Sequence, residues 1–421
     1  MINAQELQRR IYIQGFSGKK PAVTIHPDRL EALARRKMSA EAFAYIAGGA
    51  GSEATLRSNR NGFDQWQIVP RMLRNVETFD LSVQLFGQHL PSPLLLAPVG
   101  VLDLAHPEGE IAVARAAATR NVPMIFSNQA STPMETCSAQ MGDTPRWFQL
   151  YWSKSRDLVA SFIQRAESCG CSAIVLTLDT TMLGWRPRDL ELAYLPFLRG
   201  MGIAQYTSDP VFQRLLDLPD DPAQRPPKPP VNLTTLRNVV RTIRNYPGSF
   251  RDNLRSGKPL KAVRQFTQMY TNPALQWEDL AFLRELTSLP ILLKGILHPE
   301  DAKKAIDHGV NGIIVSNHGG RQVDGAIAAI EALPTILEAV RDHIPVLMDS
   351  GIRSGSDIFK AIALGAKAVC VGRPYVYGLA IGGTLGVQEV IDQLLADFEL
   401  NMRISGCSSV AELSPEYLKQ A

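Results

Sequence analysis

A chain of 421 residues, 45% of them hydrophobic and with a formal net charge of +3, can bury a large core and reads as a soluble protein of one large α/β domain or two to three ordinary ones. Its five cysteines (Cys137, Cys169, Cys171, Cys370 and Cys407) are odd in number and unevenly spaced, which argues against a disulfide framework or zinc site and for a reducing cytoplasm. Met1 to Lys20 has no apolar h-region and no uncharged apolar run is long enough for a bilayer, so neither a secretory signal nor a membrane span is expected.

In chain order, residues 1–90 read as an N-terminal extension packed on the rest of the chain, with helical patterns over 28–36 and 40–46. Gly49-Ala50-Gly51-Ser52-Glu53-Ala54 meets a loose G-x-G-x-x-A pattern. A helical stretch rather than a strand precedes it, so no dinucleotide site is expected there. From Pro93 onward short apolar runs alternate with segments of helical period, the mark of repeated βα units around a parallel sheet. The runs read as strands are 94–98, 123–126, 147–151, 173–179, 291–296, 312–316, 345–349 and 368–372. Helices are expected over 155–168, 299–308, 326–342, 356–364 and 383–402. Eight such strands predict a closed (β/α)8 TIM barrel over residues 91–407. The fourth and fifth strands are separated by residues 188–272, a long insertion with Asp221-Pro222, a proline cluster at 226–230 and many basic residues between Arg225 and Arg264. Its weak periodicity predicts an irregular lid loop, and residues 408–421 read as a C-terminal tail.

In a TIM barrel the catalytic groups stand at the C-terminal ends of the strands. Here those ends carry Gln149 and Tyr151, Thr177 and Asp179, Lys294, then Ser316-Asn317-His318-Gly319-Gly320-Arg321-Gln322. A histidine that exchanges protons near neutral pH, next to an arginine fork suited to a carboxylate, predicts a base beside an anion clamp. The seventh strand runs into Asp349-Ser350-Gly351-Ile352-Arg353 and the eighth into Gly372-Arg373-Pro374. Paired Gly and Arg loops, with a helix starting near Ser356, predict a phosphate site. Lys294 leaves two chemistries open: a Schiff base, as in a flavin-free phosphate-binding aldolase, or a permanent cation beside a cofactor that gains negative charge.

Together these motifs resemble the FMN-dependent 2-hydroxy acid oxidising family from about Tyr45 to Cys407. Within it, Gly184-Trp185-Arg186-Pro187-Arg188-Asp189-Leu190 with Pro196-Phe197-Leu198-Arg199-Gly200 is most similar to the lactate 2-monooxygenase branch. The resemblance implies that His318 is the base and that Asp179 stabilises its imidazolium form. It implies Arg186 and Arg321 on the substrate carboxylate, and Tyr45 and Tyr151 hydrogen-bonded to the carboxylate and the hydroxyl or keto oxygen. For FMN it implies Lys294 at the N1/O2 edge, Ser127, Gln149 and Thr177 on the ring, Asp349 on the ribityl chain, and Gly351, Arg353, Gly372 and Arg373 on the phosphate. Pro98, Val99, Gly100 and Ser316 complete the cofactor set. Gly100 stands where many oxidases of the family carry Ala, so more room is expected beside the flavin.

The implied activity is oxidation of a small L-2-hydroxy acid, lactate first, with O2, coupled to decarboxylation to acetate, CO2 and water. The alternatives are an oxidase releasing the 2-oxo acid and H2O2, or a quinone- or cytochrome-linked dehydrogenase. A homotetramer or homo-octamer is expected, without nucleic acid, membrane or metal.

Overall fold

The computed structural model describes residues 3–219 and 230–421. Eight parallel strands close a barrel: β1 (Leu94–Leu96), β2 (Met124–Phe126), β3 (Arg146–Leu150), β4 (Ile174–Thr177), β5 (Ile291–Ile296), β6 (Gly312–Val315), β7 (Val346–Met348) and β8 (Ala368–Val371). Closure comes from β8 pairing with β1, Val369 opposite Leu94. Each strand lies within a run expected from the sequence or overlaps it to a residue.

Side chains alternate across each strand. One set, including Leu95, Ile125, Trp147, Val175, Leu292, Ile314 and Leu347, forms a core of its own inside the barrel. The other, including Leu94, Phe126, Phe148, Leu176, Leu293 and Val315, joins the main core beneath the outer helices. A small hairpin, Val83–Leu85 with Gln88–Leu90, caps the interior core; its Phe86 ring lies 5.7 Å from that of Trp147.

Two regions differ from the sequence reading. The insertion is helical rather than irregular, with helices at Pro187–Glu191, Pro210–Asp217, Leu233–Asn245, Phe250–Ser256 and Lys258–Met269. Leu233–Asn245 and Lys258–Met269 run for 13 and 12 residues and are amphipathic, a period that the prolines and basic residues of the insertion masked. Aromatic side chains of the insertion gather: Phe266 stacks on Tyr270 at 4.7 Å and lies 4.8 Å from Tyr206 and 5.2 Å from Phe197. Asp221, Pro222 and the prolines at 226–229 lie outside the described residues. At the C-terminus Leu418–Gln420 pairs antiparallel with Trp66–Ile68, so the expected tail ties the end of the chain to the N-terminal extension.

Beyond β8, the helical stretch Arg373–Ile404 breaks at Gly382 and Gly383. The chain doubles back there, and the backbones of Gly378 and Gly386 meet so closely that a Cβ on either would collide with the other's carbonyl. Among the described residues no helix is long and apolar enough to cross a membrane. Replacing Gly386 by Ala is expected to force the two arms apart at a cost of about 1–3 kcal/mol, seen as a lower melting temperature; an unchanged melting temperature would show that the contact is loose.

Candidate active site

The strand period builds the floor of the site. Ser127, Gln149, Thr177, Lys294, Ser316 and Asp349 each lie two residues beyond an interior apolar residue, Ile125, Trp147, Val175, Leu292, Ile314 and Leu347. All six therefore point toward the barrel axis at its C-terminal end. There they link up. Ser127 Oγ donates to Gln149 Oε1 at 3.1 Å, and Gln149 Nε2 donates to Thr177 Oγ1 at 3.0 Å. Lys294 Nζ donates to Ser316 Oγ at 2.8 Å and pairs with Asp349 Oδ2 at 3.2 Å. The sheet register shifts between Lys294 and Ile296. Gly295 there has φ +109°, and a Cβ on it would stand 2.9 Å from that of Asp179, so only glycine lets β5 approach the β4 loop this closely.

Over this floor opens a cleft. Of the residues singled out from the sequence, Tyr45, Pro98, Val99, Gly100, Ser127, Tyr151, Arg186, Lys294, His318 and Arg321 line it, as do Asp349, Gly351, Arg353, Gly372 and Arg373. Asp179, Gln149, Thr177 and Ser316 stand behind the lining and hold it through hydrogen bonds.

His318 Nδ1 lies 2.7 Å from Asp179 Oδ1, which also accepts from Thr180 Oγ1 at 3.0 Å. Burial pushes the Asp179 carboxyl up, but the adjacent His318 ring and Lys294 ammonium outweigh it and hold the carboxyl at about 2. An ionised carboxylate only accepts, so Nδ1 carries the proton and Nε2 keeps its lone pair. Burial also lowers the imidazole's proton affinity, against the pull of Asp179. The ring is therefore a neutral base with an anion at its back. Lys294 is the opposite case: burial draws its pKa down, yet Asp349 and Asp179 overcome that and keep it charged.

Arg186 and Arg321 approach from two loops. Arg186 Nη2 donates to Gln322 Oε1 at 3.0 Å and its Nε to the Arg321 carbonyl at 3.2 Å. Arg321 Nη1 donates to the Gly48 carbonyl at 2.8 Å, and its guanidinium lies 5.1 Å from the centre of the Tyr45 ring. Desolvation, then the neighbouring cations Arg186 and Arg373, lower Arg321 to about 9, so an anion between the guanidinium groups would relieve real repulsion. Burial raises both Tyr45 and Tyr151, the latter to about 12 with help from Asp179, leaving two protonated hydroxyl donors.

At the other end of the cleft, burial and then Arg373 lower Arg353 to about 10. Arg373 donates to the carbonyls of Ile46, Gly48 and Gly319 at 3.1, 3.0 and 2.9 Å. The helix Gly355–Ala363 starts here behind a Ser354–Asp357 capping box. Two recessed cations thus stand beside a helix N-terminus, a setting that favours negative charge.

Several contributors carried no separate signal. Gln322 Nε2 donates to the Asp179 carbonyl at 2.6 Å while its oxygen holds Arg186; it was visible only as the last residue of a motif. Arg60 reaches Asp357 at 2.9 Å from the N-terminal extension. Phe197 and Tyr270 of the insertion line the cleft near Tyr45. Gly100 does not open space, contrary to the expectation: a Cβ there would stand 2.7 Å from the Gln129 carbonyl, so the volume of a methyl is already filled by the β2 loop.

A family model described as FMN-dependent dehydrogenase matches residues 34–420. The chain is 40% identical over 420 residues to the FMN-dependent alpha-hydroxy acid dehydrogenase qulF of Penicillium citrinum, covering 100% of this chain and 96% of that protein. It is 42% identical over 384 residues to an L-lactate oxidase of Lysinibacillus sphaericus, covering 91% and 90%. A crystal structure of mandelate oxidase with (S)-4-hydroxymandelic acid superposes with a TM-score of 0.77 at 35% identity, over 94% of this chain and 98% of that one.

His318 is expected to titrate below the ordinary value of 6.5. Since Asp179 raises its proton affinity, Asp179→Asn should move the titration lower still. NMR of the labelled imidazole would detect this, and an upward move in the variant would contradict the assigned pairing.

Proposed function

The chain belongs to the FMN-dependent dehydrogenase family, and on that premise we propose that it oxidises a small L-2-hydroxy acid, lactate first, with O2. We further propose that oxidation is coupled to decarboxylation, lactate and O2 giving acetate, CO2 and water. The observation that carries the reading is the neutral His318 base, backed by Asp179, in one cleft with two guanidinium groups that hydrogen-bond to neutral oxygens.

Each residue then has a task. Arg186 and Arg321 would grip the substrate carboxylate, exchanging mutual repulsion for charge-assisted hydrogen bonds. Tyr45 and Tyr151 would donate to the carboxylate and the hydroxyl, orienting the α-carbon. His318 Nε2 would take the proton that leaves the substrate, and Asp179 would stabilise the resulting imidazolium. FMN, when bound, supplies an acceptor for the substrate's two electrons and passes them to the oxidant. The cleft fits it: Arg353 and Arg373, with Gly351 and Gly372, would hold the phosphate, and Asp349 the ribityl chain. Lys294, Ser127, Gln149 and Thr177 would lie along the ring system, with Pro98, Val99, Gly100 and Ser316 completing the cradle. The retained charge on Lys294 disfavours the aldolase reading, since a Schiff base needs a free amine.

Enclosure supports the coupled route. Phe197 and Tyr270 belong to an aromatic cluster rather than a loose loop, so the 2-oxo acid would stay beside the peroxide formed with it. Attack of peroxide on the keto carbon would expel CO2 and leave acetate and water. The second reading is an oxidase that releases the 2-oxo acid and H2O2. It is favoured by the filled space at Gly100 and by the similarity to an L-lactate oxidase. Five unpaired, buried cysteines fit a cytoplasmic setting. A homotetramer or homo-octamer would cover Met182, Trp185 and Val323, exposed on the loops that bear Arg186 and Arg321.

Two measurements test the proposal. Turnover of lactate in air should give acetate and CO2; pyruvate with stoichiometric peroxide would exclude the coupled route and leave the oxidase. His318→Gln should retain the flavin absorption spectrum but slow its anaerobic bleaching by lactate at least about 100-fold, and bleaching at the unaltered rate would remove His318 as the base.

A further inference from the structure

Tyr377 lies one helical turn beyond Arg373, on the same face of the helix that leaves β8. It is only 1% exposed, and its hydroxyl is buried without a hydrogen-bond partner among the described residues. An orphaned buried hydroxyl costs about 1–3 kcal/mol, so one kept in a folded protein points to a partner that arrives from outside the chain. The charged groups around it define that partner: Arg373, Glu31 and Arg353 act on the phenol. Two of the three only donate hydrogen bonds. Glu31 is the one acceptor among them, too poorly placed for a formed hydrogen bond, and the excess of positive charge beside the hydroxyl favours an anionic oxygen there.

We propose that the Tyr377 hydroxyl is a ligand of the FMN phosphate, donating to one phosphate oxygen while Arg353 and Arg373 neutralise the charge. This rests on the reading that places the phosphate between the Gly351–Arg353 and Gly372–Arg373 loops. Raised by burial to about 12, the phenol keeps its proton at neutral pH and can only act as a donor toward an anion. It adds direction to a site whose other contacts are cationic: a hydroxyl fixed by a buried ring selects the position of one oxygen, whereas Arg353 and Arg373 mainly supply charge. Glu31, half-buried on the helix Pro27–Lys37, is the competing acceptor.

The test compares two flavins that differ only in the phosphate. Enzyme stripped of flavin and titrated with FMN or riboflavin, followed by flavin fluorescence, gives a dissociation constant for each. Tyr377→Phe is expected to weaken FMN about tenfold or more and leave riboflavin unchanged, with the melting temperature of the stripped protein equal or higher. Equal weakening of both flavins would make the residue merely structural. A lower melting temperature with no change in the FMN to riboflavin ratio would assign the hydroxyl to Glu31 instead. Arg353→Met separates the proposal from its premise. If that variant loses the preference for FMN while Tyr377→Phe keeps it, the phosphate site stands and Tyr377 is not part of it. If Arg353→Met also keeps the preference, the phosphate placement itself is wrong.

Discussion

Three consecutive residues after β6 take the left-handed conformation: His318, Gly319 and Gly320, with φ of 58°, 64° and 75°. For the histidine this costs roughly 1–2 kcal/mol, and the surroundings hold the turn in place. The His318 amide donates to Ser316 Oγ at 3.0 Å, that of Gly319 to Ser350 Oγ at 3.0 Å, and that of Gly320 to Asn317 Oδ1 at 3.1 Å. The reversal sets the His318 ring against Asp179 and brings Arg321 back over the same cleft. It also turns the Gly319 carbonyl to Arg373 and the Gly320 carbonyl to the Ala50 amide. Side chains at either glycine would be blocked, by Arg373 at 2.7 Å and by the Leu56 backbone at 2.6 Å. His318, the two arginines Arg321 and Arg373, and the N-terminal extension thus meet at one turn.

The N-terminal extension is consequently a working part of the site. Asn59 and Asn317 exchange two hydrogen bonds of 2.7 Å in the interior. Asp324 accepts from the amides of Ser52 and Ala54 at 2.6 and 2.7 Å, fastening the start of the helix Ala54–Asp64 to the loop after β6. Through these contacts the extension delivers Tyr45 and the Gly48 carbonyl to the arginines. Buried amide pairs are costly to break, because either partner left alone keeps an unsatisfied polar group. The docking therefore fixes register and angle as well as adding stability.

Electrostatically the cleft has two cationic ends. Arg186 with Arg321 and Arg353 with Arg373 are held close to one another, and their hydrogen bonds run largely to carbonyl oxygens. Lys294 and Asp179, by contrast, are compensated within the chain. Anions are thus invited at the two ends, while the centre is kept neutral by internal pairing. This division is what a carboxylate substrate and a phosphorylated cofactor require of one cavity.

Residue order by itself determined the barrel and most of its rim. The alternation of Leu95, Ile125 or Val175 with their neighbours is local, and a polar residue two places past each interior position is visible without coordinates. Lys294 could be singled out for that reason, and Asp179 and His318 because they follow directly on the ends of strand runs. Tertiary structure alone decided which of them touch, because their partners lie far apart in the chain: Arg186 and Gln322 are 136 residues apart and Asn59 and Asn317 are 258 apart. It also decided that the insertion is helical and that the space at Gly100 is full, since prolines and basic residues masked the period of the insertion's helices and a neighbouring loop leaves no trace in the glycine it presses against. Periodic burial is written in consecutive residues, whereas contact is set by chain reversal and packing between segments that share no sequence pattern.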